Sequence, residues 1–262
     1  VPVHLRFNPF VLTGYRGALD AWSSVASLLY LHNETINILT HLSPLLYVMI
    51  RGKSLVPWDN VDVPLLPVFA LVASGSSWVG SSLYHLFMNY NHDPRWYKRL
   101  LTFDMIGIWV TQSFGALTTV TAACYCLSAL WRFVCVATYA LLSLWGLSKV
   151  LVARDAVERR LSFLFMFLFR MGLLMLRLSP VGGGSPDALP GIILQDAVPC
   201  IGAVISATHV PERWFPGRLD YACNSHNIMH VLVVAGLFFM VSATGADLLW
   251  MSTNDPGNCA WA

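Results

Sequence analysis

The sequence predicts an all-α membrane protein: a bundle of seven transmembrane helices with a cytosolic N-terminus, a luminal or extracellular C-terminus and a short amphipathic N-terminal helix. Three observations predict it. The 262 residues are 56% hydrophobic and only 11% charged, with a mean hydropathy of +0.60, where an ordinary soluble domain carries about 25% charged residues. Apolar runs long enough to approach the ~20 residues of a membrane span recur along the whole chain. Lysine and arginine are distributed unevenly between alternate loops. Arg6, Asn8 and Pro9 interrupt any apolar stretch near the start, so no cleavable signal is expected there. The chain does not begin with methionine, so its true N-terminus is left open.

Residues 1–32 read as a cytosolic lead, in which Ala18 to Leu31 alternate small polar and large apolar residues as an interfacial helix does. The spans are expected at about 33–50, 64–87, 100–122, 127–147, 160–178, 189–210 and 225–250, so that 33–250 form the bundle and 251–262 a tail. The segment Ser179 to Pro190 is rich in Gly and Pro and reads as a flexible loop. The six cysteines have no metal-ligand spacing beyond Cys124 and Cys126 and suggest no disulfide framework. A bridge from Cys259 to either Cys124 or Cys126 is left open. The aromatic run Phe163, Phe165, Phe167 and Phe169 reads as lipid-facing or core bulk.

Orientation follows from the basic residues. With the N-terminus inside, eleven Lys and Arg fall on the cytosolic side and four opposite, leaving Arg170 within the fifth span. This is the reverse of rhodopsin-type receptors, so no heterotrimeric G protein is expected as a partner. Arg170 and Asp196 fall at similar depth on the fifth and sixth spans and are expected to pair.

The informative residues lie on three spans. His226 and His230 are four apart at the start of the seventh span, and residues four apart share a helix face about 5–6 Å from each other. Counting spans brings His85 at the end of the second and Asp104 at the start of the third to the same level. Each polar group alone is costly to bury in a bilayer. Three neutral histidines can hold Zn²⁺ with one position open, where water acidifies and an acyl oxygen is polarised. Asp104 can orient a water at the metal and take its proton, and Ser81, one turn before His85, can support a ligand or the substrate carbonyl. Such a site suits a lipid with a cleavable acyl or amide bond. Rival readings are a histidine pair bridging helices by hydrogen bonds, an ion pair from Asp104 to Arg99, and helix packing of Ser81 in the small-residue face around Gly80. His32, Glu34, Asn37 and His41 form a second polar cluster that reads as an interfacial helix cap, with His41 a turn or two deeper and expected to pack against the site without ligating it.

Several motifs carry a resemblance: Gly14-Tyr15-Arg16; His32 to His41 (HNETINILTH); Ser81 to His85 (SSLYH); Phe103 to Gly107 (FDMIG); Pro211-Glu212-Arg213; and Asn224 to His230 (NSHNIMH). In this order and spacing the chain resembles the progestin and adipoQ receptor family, which includes the adiponectin receptors, over roughly residues 7 to 250. Asn33 and Ile36 stand where adiponectin receptors carry Thr and Gly. The resemblance implies a seven-span, N-inside fold with zinc on His85, His226 and His230, Asp104 on the metal's water and Ser81 beside it. It also implies ceramidase activity, with ceramide as substrate and sphingosine and fatty acid as products. No nucleic-acid partner is expected. The alternatives are a receptor with a structural zinc and a membrane scaffold or trafficking protein. The expected setting is a Golgi or plasma membrane.

Overall fold

The computed structural model describes residues 1–58, 61, 63, 65–257 and 259, and these contain helices and turns with no strand. The helices are α1 (Ala21–Ala26), α2 (Thr35–Arg51), α3 (Leu66–Phe87), α4 (Pro94–Val110), α5 (Leu117–Ala123), α6 (Ala129–Val152), α7 (Ala156–Leu161), α8 (Leu164–Arg177), α9 (Leu189–Thr208) and α10 (Ser225–Thr253). Short helices begin where an aspartate can accept from freed backbone N–H groups: Asp20 from Ser23, and Asp155 from Val157 and Glu158. A π turn at Thr111–Gly115 joins α4 to α5, making one continuous helical path.

Among the described residues, five stretches are long and apolar enough to cross a membrane: Leu66–Phe87, Pro94–Ala123, Ala129–Val152, Pro186–Thr208 and Ser225–Thr253. They coincide with the second, third, fourth, sixth and seventh expected spans; the expected start at Pro64 lies outside the described residues. The first and fifth correspond to α2 and α8, which at 17 and 14 residues are shorter. The expected interfacial helix is reduced to α1, six residues long, followed by one 3₁₀ turn. Trp22, Leu29 and Leu31 nonetheless point outward.

The chain forms two compact units. The first comprises Val1–Tyr47, Trp78–Gly107 and Gln195–Leu237. Its lead is packed: Leu5 is buried with Tyr84 and Met88, beside Tyr97, Leu100 and Leu101. Here α3 and α4 touch backbone to backbone, since a Cβ at Gly80 would stand 2.8 Å from the Cα of Asp104. α9 and α10 approach in the same way, with Gly236 against Pro199 and Gly202 against Met229.

The second unit comprises Val48–Ser77, Ile108–Leu194 and Phe238–Ala262. One core joins Ala116, Val120, Tyr139, Met166 and Leu173, with Phe169 stacked on Tyr139 and Phe165 exposed. The segment expected to be a flexible loop is instead pinned. Gly183 N–H donates to Ala123 O, Ser185 N–H to Asp247, and Gly184, at φ +103°, lies against the Arg177 guanidinium. Arg177 and Asp247 form an ion pair at 2.5 Å, with side chains 3% and 0% exposed. The bridge left open from the sequence is Cys126–Cys259, and Cys124 is a buried free thiol. Arg170, buried in α8, belongs to this unit, and Asp196, in α9, to the first.

Candidate metal centre

The first unit brings His85, His226 and His230 together, with one ligand nitrogen from each lying within 4.8 Å of the others. Two of the three ring nitrogens, Nε2 of His226 and of His85, are 3.5 Å apart. Two nitrogens on one tetrahedral zinc, each about 2.0–2.1 Å from the ion, stand about 3.4 Å from each other. One pair of the donor set already stands close to that separation, and three imidazole nitrogens within 4.8 Å of one another could hold a metal ion.

The tautomers of two rings follow from their neighbours. Nδ1 of His85 lies 2.7 Å from Oε2 of Glu34, a carboxylate that can only accept, so Nδ1 carries the proton and Nε2 presents its lone pair. Nδ1 of His230 lies 3.2 Å from the Thr40 hydroxyl. That hydroxyl already donates to Ile36 O at 2.7 Å, so it accepts from His230, again leaving Nε2 for a metal. Glu34 also accepts from Asn37 at 2.7 Å and Asn33 at 3.0 Å. Asn37 in turn accepts from Asn227 at 2.6 Å, tying α2 to the first turn of α10. His41 stacks flat on His230, ring centres 4.0 Å apart.

His41 packs against the site, as its depth suggested, and Glu34 and Asn37, expected to serve as an interfacial cap, form the outer support of the histidine site with it. Glu34, Asn37 and His41 are 2%, 2% and 5% exposed. The signal was present in the sequence as the spacing i, i+3, i+7, which places all three on one helix face. What the spacing lacks is the direction of that face. His32 accepts from Glu34 N–H through Nδ1. Burial, and then the charge of Arg16, lower the His32 pKa to about 4.

Asp104 lies within electrostatic reach of His85 and against α3 at Gly80. Among the described residues it makes no ion pair with Arg99. The Ser81 hydroxyl is buried and bonded to no group among the described residues. Phe7 of the lead packs edge-on to His226, ring centres 5.6 Å apart, and closes one side of a pocket lined by Tyr15, Asn33, Glu34, Asn37 and His226.

An all-helical integral membrane protein with three clustered histidines able to hold a metal, two of them buried, is the class this architecture defines. The haemolysin-III related family matches residues 29–241. Human progestin and adipoQ receptor family member 4 is 36% identical over 250 residues, 95% of this chain and 91% of the relative. Mouse member 3 of that family is 27% identical over 93% of this chain and 83% of its own length. Human membrane progestin receptor delta is 29% identical over 94% and 78%. The chain belongs to the progestin and adipoQ receptor family of haemolysin-III related proteins.

Proposed function

We propose that this protein is a zinc-dependent amidohydrolase that cleaves ceramide within the membrane to a sphingoid base and a free fatty acid. One observation carries the reading: three imidazoles converge, and two are locked by Glu34 and Thr40 with Nε2 turned toward the metal position. Zinc, when bound, supplies Lewis-acid polarisation of an acyl oxygen and lowers the pKa of water to about 7. Asp104 takes the proton of the water that attacks the amide carbon. It then returns that proton to the departing nitrogen as the C–N bond breaks, leaving a carboxylic acid and an amine. The unengaged Ser81 hydroxyl donates to the carbonyl oxygen as negative charge grows there. Glu34 and Thr40 keep His85 and His230 in one tautomer throughout.

In this reading α2 and α8 complete seven spans, with the N-terminus cytosolic, in a Golgi or plasma membrane. Arg16 and Arg177 are buried in specific contacts; without them the basic residues still divide ten to three in favour of N-inside. The Cys126–Cys259 bridge supports the same orientation, because the turn after α5 and the C-terminal tail then both face an oxidising compartment. The second reading is a receptor with a structural metal, favoured by the names of relatives such as membrane progestin receptor delta. Ceramide hydrolysis by the purified, zinc-loaded protein separates the two. Fatty acid release that is lost in His85→Ala and falls at least about 100-fold in Asp104→Ala supports the enzyme. Retained zinc with no hydrolysis of any ceramide supports the receptor.

A further inference from the structure

Two sequence motifs carry charged residues with no part in the chemistry above: Arg16 in Gly14-Tyr15-Arg16, and Glu212 in Pro211-Glu212-Arg213. Both side chains are buried, at 3% and 0% exposure. Arg16 donates through Nη2 to His85 O at 2.5 Å, and through Nη1 to Leu86 O at 3.0 Å and Ser27 Oγ at 2.9 Å. His85 and Leu86 stand in the last turn of α3, where carbonyls have no partner within the helix and a cation is favoured.

Glu212 does the converse. Its Oε2 accepts from the backbone N–H of Ser225 at 2.6 Å, and its Oε1 from Asn8 at 2.8 Å and, closely, from the Ser225 hydroxyl. Ser225 is the first residue of α10, where N–H groups are unpaired and an anion is favoured. The next residue is His226. Burial pushes the Glu212 carboxyl up, but the bonds from Ser225 and Asn8 outweigh it and hold the group below its ordinary value. Each ligand-bearing helix is therefore tied at the end nearest its histidine, by a charge of the sign that end favours, from a residue outside the helix.

We propose that Arg16 and Glu212 are positioning residues of the metal centre, tying the end of α3 and the start of α10 so that His85 and His226 stay at metal-binding separation. This rests on the metal reading of the previous section. The reason is geometric. A metal site tolerates displacements of only about 0.5 Å in its ligands, and His85 and His226 sit at helix ends, which fray unless their free backbone groups are satisfied. Asp220 provides an internal comparison. It is as buried as Glu212 and lies on the same loop, but among the described residues it bonds to the lead alone, through Leu12 N–H, Thr13 N–H and the Thr13 hydroxyl.

The test is Co²⁺ binding by the full chain in detergent, stripped of metal and titrated against a chelator, with the visible bands of bound cobalt recorded. Arg16→Lys and Glu212→Gln are expected to bind Co²⁺ about 10–100-fold more weakly and with altered bands, as loss of outer support at a metal site does. Glu212→Asp, which keeps the carboxylate, is expected to regain part of the affinity. Asp220→Asn is expected to match the wild type in both readouts. Should Glu212→Gln not fold, Ser225→Ala removes one donor to the same carboxylate and is expected to weaken binding in the same direction by less. Wild-type affinity and bands in Arg16→Lys and Glu212→Gln overturn the inference and leave the metal centre standing, as does an Asp220→Asn loss equal to that of Glu212→Gln. A wild-type chain that takes up no cobalt overturns the metal reading and this inference together.

Discussion

The Nδ1 of His85 on α3 lies 2.7 Å from Oε2 of Glu34, which precedes the first turn of α2, and the two side chains are 1% and 3% exposed. A buried carboxylate behind a histidine fixes the ring's orientation and raises its basicity toward a metal. Glu34→Gln preserves the shape but removes the charge. It is expected to weaken zinc binding about 10–100-fold, as read by chelator competition. Unchanged affinity would show that Glu34 supports the fold of α2 rather than the centre.

The contact of Gly80 with Asp104 predicts a different failure. A methyl group at Gly80 would meet the α4 backbone at 2.8–3.0 Å, which a side-chain rotation cannot relieve. Gly80→Ala is expected to cost about 1–3 kcal/mol in unfolding free energy. It is also expected to reduce ceramide hydrolysis more than zinc content, because it displaces Asp104 and leaves the three imidazoles in reach of a metal. Equal loss of metal and activity would contradict this.

In the second unit, Arg177 and Asp247 are fully enclosed, and Asp247 also accepts from Ser185 N–H. Removing either charge alone leaves the other buried and unpaired. Arg177→Ala and Asp247→Ala are each expected to destabilise by about 3–5 kcal/mol. Arg177→Met with Asp247→Leu should cost less than either, because no orphan charge remains. Denaturant unfolding in micelles measures all three, and a double variant worse than both singles would refute the account.

His32 sets a pH dependence. Its pKa falls from 6.5 to about 4 on folding, so between these values the unfolded chain binds more protons than the folded one. The stability tied to neutral His32 is fully present above the unfolded value and is lost as pH falls toward the folded one. His32→Gln is expected to flatten the decline in melting temperature between about pH 7 and about pH 4 relative to wild type. Parallel curves for the two proteins would rule it out.

Much of the helical layout was legible beforehand. The expected starts at 189 and 225 agree with α9 and α10, and the expected ends at 50, 87 and 122 fall within one residue of α2, α3 and α5. α6 runs five residues past the expected end at 147, to Val152, because Ser148 and Lys149 lower local hydropathy without breaking the helix. The Gly and Pro content of 179–190 predicts freedom, whereas the segment is pinned. Here glycine serves as clearance: Cβ atoms at Gly182, Gly183 and Gly184 would each fall within 2.6 Å of neighbouring atoms.

His85, Asp104, His226 and His230 could be associated from the amino acids alone, because span length and helix rise are local properties that fix which end of each helix a residue occupies. The partners of Glu34, Arg16, Glu212 and Asp247 were decided only in three dimensions. A side chain's partner depends on how each helix is rotated about its axis and on which neighbour it packs against. Those two quantities come from burial and close packing across the whole unit, and no periodicity along a single helix contains them.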